Sequence, residues 1–154
     1  MHRIFISGAI TPTGPSNHAI EYLTNVRTGV QAATSLMLAG FVTYCPMIDF
    51  QLFLGLYPGE EIREEVIRGY ALSFVEHWAE AILVLPGWEK SQGVKKEVSA
   101  AVRCHIPVFY DEMDMTKYFQ VEDLTHNANI LIAAYGPKRV SCGAGGFVGL
   151  RARP

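Results

Sequence analysis

Apolar positions along this chain fall into short unbroken runs separated by longer periodic stretches. Arg3-Ile4-Phe5-Ile6-Ser7, Phe41 to Cys45, Ala81 to Pro86 and Ile106 to Tyr110 read as four strands, too short for helices and bounded by turn-forming or polar residues. Ile20, Leu23, Val26, Val30, Ala33 and Met37 recur with helical period, which predicts a helix over about 17–39. Ser16 or Asn17 would cap it and Gly40 would end it. A second helix is expected over about 61–78 and a third over 94–104. On the third, at 100° per residue, Val94, Val98, Ala101 and Val102 share one face, while Lys95, Lys96, Ser99 and Arg103 fall on the other. The stretch 51–60 reads as an irregular, aromatic-rich insertion. Residues 111–120 read as loop with at most a short helix, and 121–135 as the last helix.

Continuous apolar strands alternating with helices imply a parallel sheet covered on both sides. Right-handed crossovers then favour an α/β, flavodoxin-like doubly wound parallel sheet of strand order 2-1-3-4 with helices on both faces. Residues 1–135 form this domain, and 136–154 a Gly-rich, mildly basic tail, partly mobile or packed on a partner subunit. In that order the winding reverses between strands one and three. A crevice therefore opens between the turn around Ser7-Gly8-Ala9-Ile10-Thr11 and the turn from Leu85 to Gly93.

Glu97 stands on the helix leaving the second of these turns, angularly between Ala100 and Ala101, at the border of the apolar face. Its carboxylate can lean over the end of the sheet. It can equally sit on a solvated rim beside Lys95 and Lys96, or be an acid favoured by the helix N-terminus.

Composition narrows the field. A chain of 154 residues with 49% hydrophobic and 18% charged residues is ordinary globular material, large enough for a real core. A net charge of −2 without a basic stripe argues against a nucleic-acid partner. No run has membrane-span length, and the polar start has no signal-peptide pattern. Three widely spaced cysteines, Cys45, Cys104 and Cys142, suggest reduced thiols in the cytoplasm. The five histidines pair with nothing at metal-ligand spacing, so neither a metal nor another cofactor is expected. The C-terminal glycines make no dinucleotide fingerprint, and there is no Walker loop.

The strand ending Ile6-Ser7-Gly8, the apolar strand before the loop, and Ser91-x-Gly93-x-x-x-Glu97-x-x-x-Ala101 followed by Ile106-Pro107-Val108 together resemble the nucleoside 2-deoxyribosyltransferase family. That family includes the deoxynucleoside 5′-monophosphate N-glycosidases. A branch of short, mostly uncharacterised bacterial and phage domains is closer still, sharing an ISGxIT-like turn and the Leu85-Pro86-Gly87-Trp88-Glu89 turn. The resemblance covers roughly residues 3–110.

It implies an enzyme that cleaves or transfers the N-glycosidic bond of a deoxynucleoside or its 5′-monophosphate. Glu97 would be the retaining carboxylate nucleophile, forming a covalent glycosyl-enzyme. Asp49 would hydrogen-bond the base or supply the leaving-group proton, and could instead cap a turn. Ser7, Gly8 and Ile10 would line one wall, with Gly87, Ser91 and Gly93 opposite, where a helix N-terminus meets a 5′-hydroxyl or phosphate. Ser91 could be simply a helix cap. Trp88 and Phe50 could sandwich the base, although Trp88 could as well cover the sheet edge. Arg27 and Arg68 could be phosphate ligands or solvated helix residues. Glu80 replaces the Asp that usually leads into the central strand, and Tyr70 and Ser73 occupy the neighbourhood of an expected acid. A homo-oligomer, dimer or higher, is implied, with Asn127 or Asn129 as candidates to complete a neighbour's site. The alternative is a non-catalytic nucleotide-binding domain, a sensor or sponge, on the same scaffold.

Overall fold

The computed structural model describes residues 1–12 and 18–135, with the side chains of residue 50 and of 127–135 excepted. The expected tail from 136 onward, and the side chains of Asn127 and Asn129, therefore lie outside the described residues. The chain divides into two compact units, Met1–Phe119 and Gln120–Pro154. In the second, residues 120–135 are helical, and the Thr125 hydroxyl donates to the Val121 carbonyl at 2.8 Å. The sheet and the cavity described below belong to the first unit.

Four parallel strands make its sheet: β1 (Arg3–Ser7), β2 (Val42–Tyr44), β3 (Ala81–Val84) and β4 (Val108–Phe109). Their spatial order is β2-β1-β3-β4, the flavodoxin-like arrangement expected from crossover handedness. In register, Phe5 lies beside Tyr44 on one side and Ile82 on the other, and Ser7 beside Val84. β1 and β3 are buried nearly end to end, as strands covered on both faces must be.

The alternation of side chains along each strand sorts the core into two clusters. Ile4, Ile6 and Leu83 pack against Ala33 and Leu36 of α1 (His18–Leu38) and against Met115 and Phe119, which open α4 (Glu112–Tyr135). Phe5, Ile82 and Val84 pack against Val75 of α2 (Glu64–His77) and Val94, Ala100 and Ala101 of α3 (Gln92–Arg103). Ser7, two residues beyond Phe5, turns its side chain to the α2–α3 face. That is where the crevice opens.

α1 ends as its glycine dictates. Gly40 takes φ +93°, and the Phe41 and Gly40 amides donate to the Leu36 and Met37 carbonyls, both at 3.0 Å. This is a Schellman closure.

Three expectations need correcting. A 3-10 helix, Pro46–Gly55, runs into the stretch 51–60 expected to be irregular, and it is opened by Pro46, whose missing N–H costs nothing in a first turn. The last helix does not wait for Val121, because the Asp111 carboxylate accepts from the Met113 and Asp114 amides at 2.8 and 3.0 Å and caps a start at Glu112. On α3 the buried stripe is Val94, Ala100 and Ala101, while Val102 is 62% exposed. The midline of that stripe passes through Glu97, which apolar periodicity alone had put at its border.

Candidate active site

A cavity of about 370 Å³ opens at the carboxyl ends of β1 and β3, where the winding reverses. Gly8 and Ile10 line it from the loop after β1, and Gly93 and Glu97 from α3. The remaining wall comes from the 3-10 helix (Asp49, Leu52, Phe53) and from α2 (Ile67, Arg68, Tyr70 among others). Most of this lining is apolar, with Asp49, Glu64, Arg68 and Glu97 as its charged members.

Glu97 is partly buried, and the Ser7 hydroxyl donates to its Oε2 at 2.5 Å. Burial pushes the Glu97 carboxyl above the usual carboxylate range, and the Ser7 hydrogen bond works in the opposite direction. Ser7 itself is fully buried, so this carboxylate is where its hydroxyl is satisfied. A buried serine closing a strand, facing a carboxylate one helical turn into the next layer, is not what core packing calls for.

Asp49 is held in a similar way by a different hydroxyl. The Tyr44 phenol, at the end of β2, donates to Asp49 Oδ2. Its ring is fixed by stacking on Phe74, with centroids 3.9 Å apart and planes 11° apart, and by edge contacts with Tyr70 and Trp78. Burial, then the Asp49 and Tyr70 side chains, push the Tyr44 hydroxyl far above the ordinary tyrosine range, so it remains a donor at any physiological pH.

The glycines divide by cause. A Cβ on Gly8 would run into the Met47 methyl and come within 2.9 Å of Leu85 Cδ1, so packing requires this glycine. A Cβ on Gly93 would meet nothing nearer than Ser91 Oγ at 3.7 Å, so it is the cavity that its missing side chain leaves open. Ser91 caps α3, accepting the Val94 amide at 3.3 Å, and does not line the cavity.

The other sequence-derived candidates separate clearly. Ser7, Gly8, Ile10, Asp49, Gly93 and Glu97 come together. Gly87 and Trp88 do not line the cavity: Gly87 takes φ +83° to turn the chain, and Trp88 packs on Tyr110 with centroids 5.4 Å apart. The expected Trp88 side of a base sandwich is thus corrected to the sheet-covering reading. Phe50 lies within the 3-10 helix, but its side chain is outside the described residues. Arg27 is exposed on α1, whereas Arg68 lines the cavity paired with Glu64. Glu80 is remote from the crevice, binding Arg3 Nε at 3.0 Å and His2 Nδ1 at 3.1 Å at the opposite end of the sheet. Tyr70 stands in the wall where an acid was expected. The wall from the 3-10 helix and α2 was missed; its signal was the apolar run Leu52-Phe53-Leu54 in a segment with no strand or helix period. Among the described residues, no cluster of three His, Cys, Asp or Glu side chains could hold a metal, and no helix is long and apolar enough to cross a membrane.

Fold and site together define a flavodoxin-like α/β domain with a partly buried carboxylate at the switch point of its sheet. The chain belongs to the DUF4406 family, described as a domain of unknown function, whose model matches residues 2–110. That span contains the whole sheet and every residue lining the cavity. No curated protein and no solved structure matches the chain.

Proposed function

We propose that this protein cleaves or transfers the N-glycosidic bond of a deoxynucleoside or deoxynucleoside 5′-monophosphate, with Glu97 as nucleophile. A Glu97 oxygen attacks the anomeric carbon of the sugar. The carbon–nitrogen bond breaks, its electron pair leaves with the base, and the base nitrogen takes up a proton by way of Asp49 or solvent. Water, or a second base, then attacks the same carbon and releases Glu97, with overall retention. A carboxylate suits both halves of this reaction, stabilising an oxocarbenium-like transition state and forming an ester that turns over.

One observation carries the reading: Glu97 faces an apolar cavity at the sheet's switch point, in the middle of a buried helical stripe, held by a buried serine. The resemblance of Ser91-x-Gly93-x-x-x-Glu97 and its flanking strands to the deoxyribosyltransferase family supports it independently. In the same reading the protein works in the cytoplasm as a homo-oligomer, with Cys45 and Cys104 as free thiols.

The test is a panel of deoxynucleosides and their 5′-monophosphates incubated with the protein and resolved by chromatography. Wild type is expected to release free base, and Glu97→Gln to release at least ~10³-fold less while keeping its fold by circular dichroism. Equal release by both would refute the nucleophile. Binding by both without release would establish the sensor reading instead.

A further inference from the structure

α3 turns one face to the switch-point cavity and the other to a second hollow. Lys95, Lys96, Ser99 and Arg103 line an open cleft of about 290 Å³ there, floored by Leu72 of α2 and the buried Ala100 of α3. Helical spacing gathers the polar members: Lys95, Ser99 and Arg103 follow one another at successive turns, with Lys96 beside them. Arg103 binds Glu76 of α2 through one NH2 group, and its remaining N–H groups are still donors. Lys95 and Lys96 form no ion pair among the described residues. The Ser99 hydroxyl donates to the Lys95 carbonyl at 2.7 Å, so the donors of this cleft are its cations. This concentration of positive charge is local. The chain as a whole carries a net charge of −2, and the one acid of α3, Glu97, lines the other cavity. Like charges on neighbouring turns repel, and a bound anion relieves that repulsion.

We propose that this cleft is a second binding site, and that its ligand is a diphosphate group, free or carried by a nucleotide. Lysine ammoniums act on phosphoryl oxygens as compact point charges, and the arginine fork adds paired N–H donors. Two ammoniums and a guanidinium in one cleft suit an anion with several negative charges spread over two phosphoryl groups. Glu76 holds the Arg103 guanidinium on the α2 side of the cleft, so the cations converge from both edges. The volume lies near the lower end of small-molecule sites, about 300 Å³, which admits a diphosphate. A polynucleotide fits less well, because the cations are confined to one hollow and do not continue as a stripe. The site stands apart from the glycosidic reading and does not depend on it.

The experiment is isothermal titration calorimetry at low and moderate ionic strength, with pyrophosphate, orthophosphate, a deoxynucleoside diphosphate and a single-stranded oligonucleotide as probes. Lys95, Lys96, Arg103 and Lys117 are all exposed, so their substitution by Gln leaves the core untouched. Wild type is expected to bind pyrophosphate one-to-one, more tightly than orthophosphate, and less tightly as salt is raised. The double variant Lys95→Gln/Lys96→Gln should raise Kd about tenfold or more, and Arg103→Gln several-fold. Lys117→Gln, which removes a charge from α4, should leave Kd unchanged. A deoxynucleoside diphosphate that binds more tightly through the same lysines would identify the group as nucleotide-borne, and equal affinity would identify free diphosphate. No saturable binding would overturn the proposal. So would a Kd that Lys117→Gln raises as much as the double variant does, since that is general counter-ion attraction. Loss of binding in Arg68→Gln but not in the double variant would place the anion in the switch-point cavity instead. Preference for the oligonucleotide through the same lysines would replace a small anion with a nucleic acid.

Discussion

Each of the two central carboxyls of the cavity is held by a hydroxyl from a strand end: Ser7 on Glu97 and Tyr44 on Asp49. Tyr44→Phe keeps the ring stacked on Phe74 and deletes only the donor. Hydrogen bonds to charged groups contribute about 1.5–3 kcal/mol, so a drop of about tenfold or more in kcat/KM is expected, larger than any change in melting behaviour. Steady-state kinetics beside thermal unfolding separates this from a merely structural role. Ser7→Ala removes the one contact that pulls the Glu97 pKa down, leaving burial unopposed. Since attack needs the ionised form, the acidic limb of the pH–rate profile should move to higher pH, and a limb that stays put would remove Ser7 from the mechanism. Glu97 was legible in the sequence because topology brings it towards the sheet's crevice, whereas Asp49, just after β2, was legible only through the family resemblance. Trp88 was misleading because an aromatic in a glycine-rich turn looks like a platform for a base. Its true partner, Tyr110, sits just beyond β4, where no local pattern reveals it.

Helices and strands followed their local signals wherever those signals were complete. Gly40 ended α1, Ser91 began α3, and β1 runs from Arg3 to Ser7 as its apolar run implied. The start of α4 was obscured because its cap, Asp111, is followed by a first turn that is mostly polar, with only Met115 and Phe119 reaching the core. Two helical glycines test how packing overrides propensity. A Cβ on Gly29 of α1 would collide with the Met47 sulfur, so Gly29→Ala is expected to destabilise by about 1–3 kcal/mol despite the better helix former. Gly69 of α2 has nothing within 4 Å of such a Cβ, so Gly69→Ala should stabilise by about 0.5–1 kcal/mol. Urea denaturation of both variants decides the matter. Equal effects would mean that Met47 yields without cost.

Strand order was legible because crossover handedness leaves few arrangements for four parallel strands, and β2-β1-β3-β4 is the one found. The cavity's apolar wall was not, since it depends on where a 3-10 helix and α2 settle over the sheet, a long-range matter with no periodic trace. Burying Glu97 also has a consequence for the stability of the whole fold. A carboxyl whose folded-state pKa is raised contributes stability that is fully present below its unfolded value and lost as pH rises through the folded one. Glu97→Gln should therefore gain stability over wild type progressively as pH is raised from about 4 towards 8. Denaturant midpoints across that range give the sign, and an advantage growing towards acid would mean that the ionised form is the favoured one. The most direct measurement, however, is of the bond itself. Wild-type protein mixed with a deoxynucleoside, quenched in acid and digested, should yield a Glu97-containing peptide heavier by one deoxyribosyl unit. Glu97→Gln, releasing base as fast as wild type and carrying no such adduct, would contradict it.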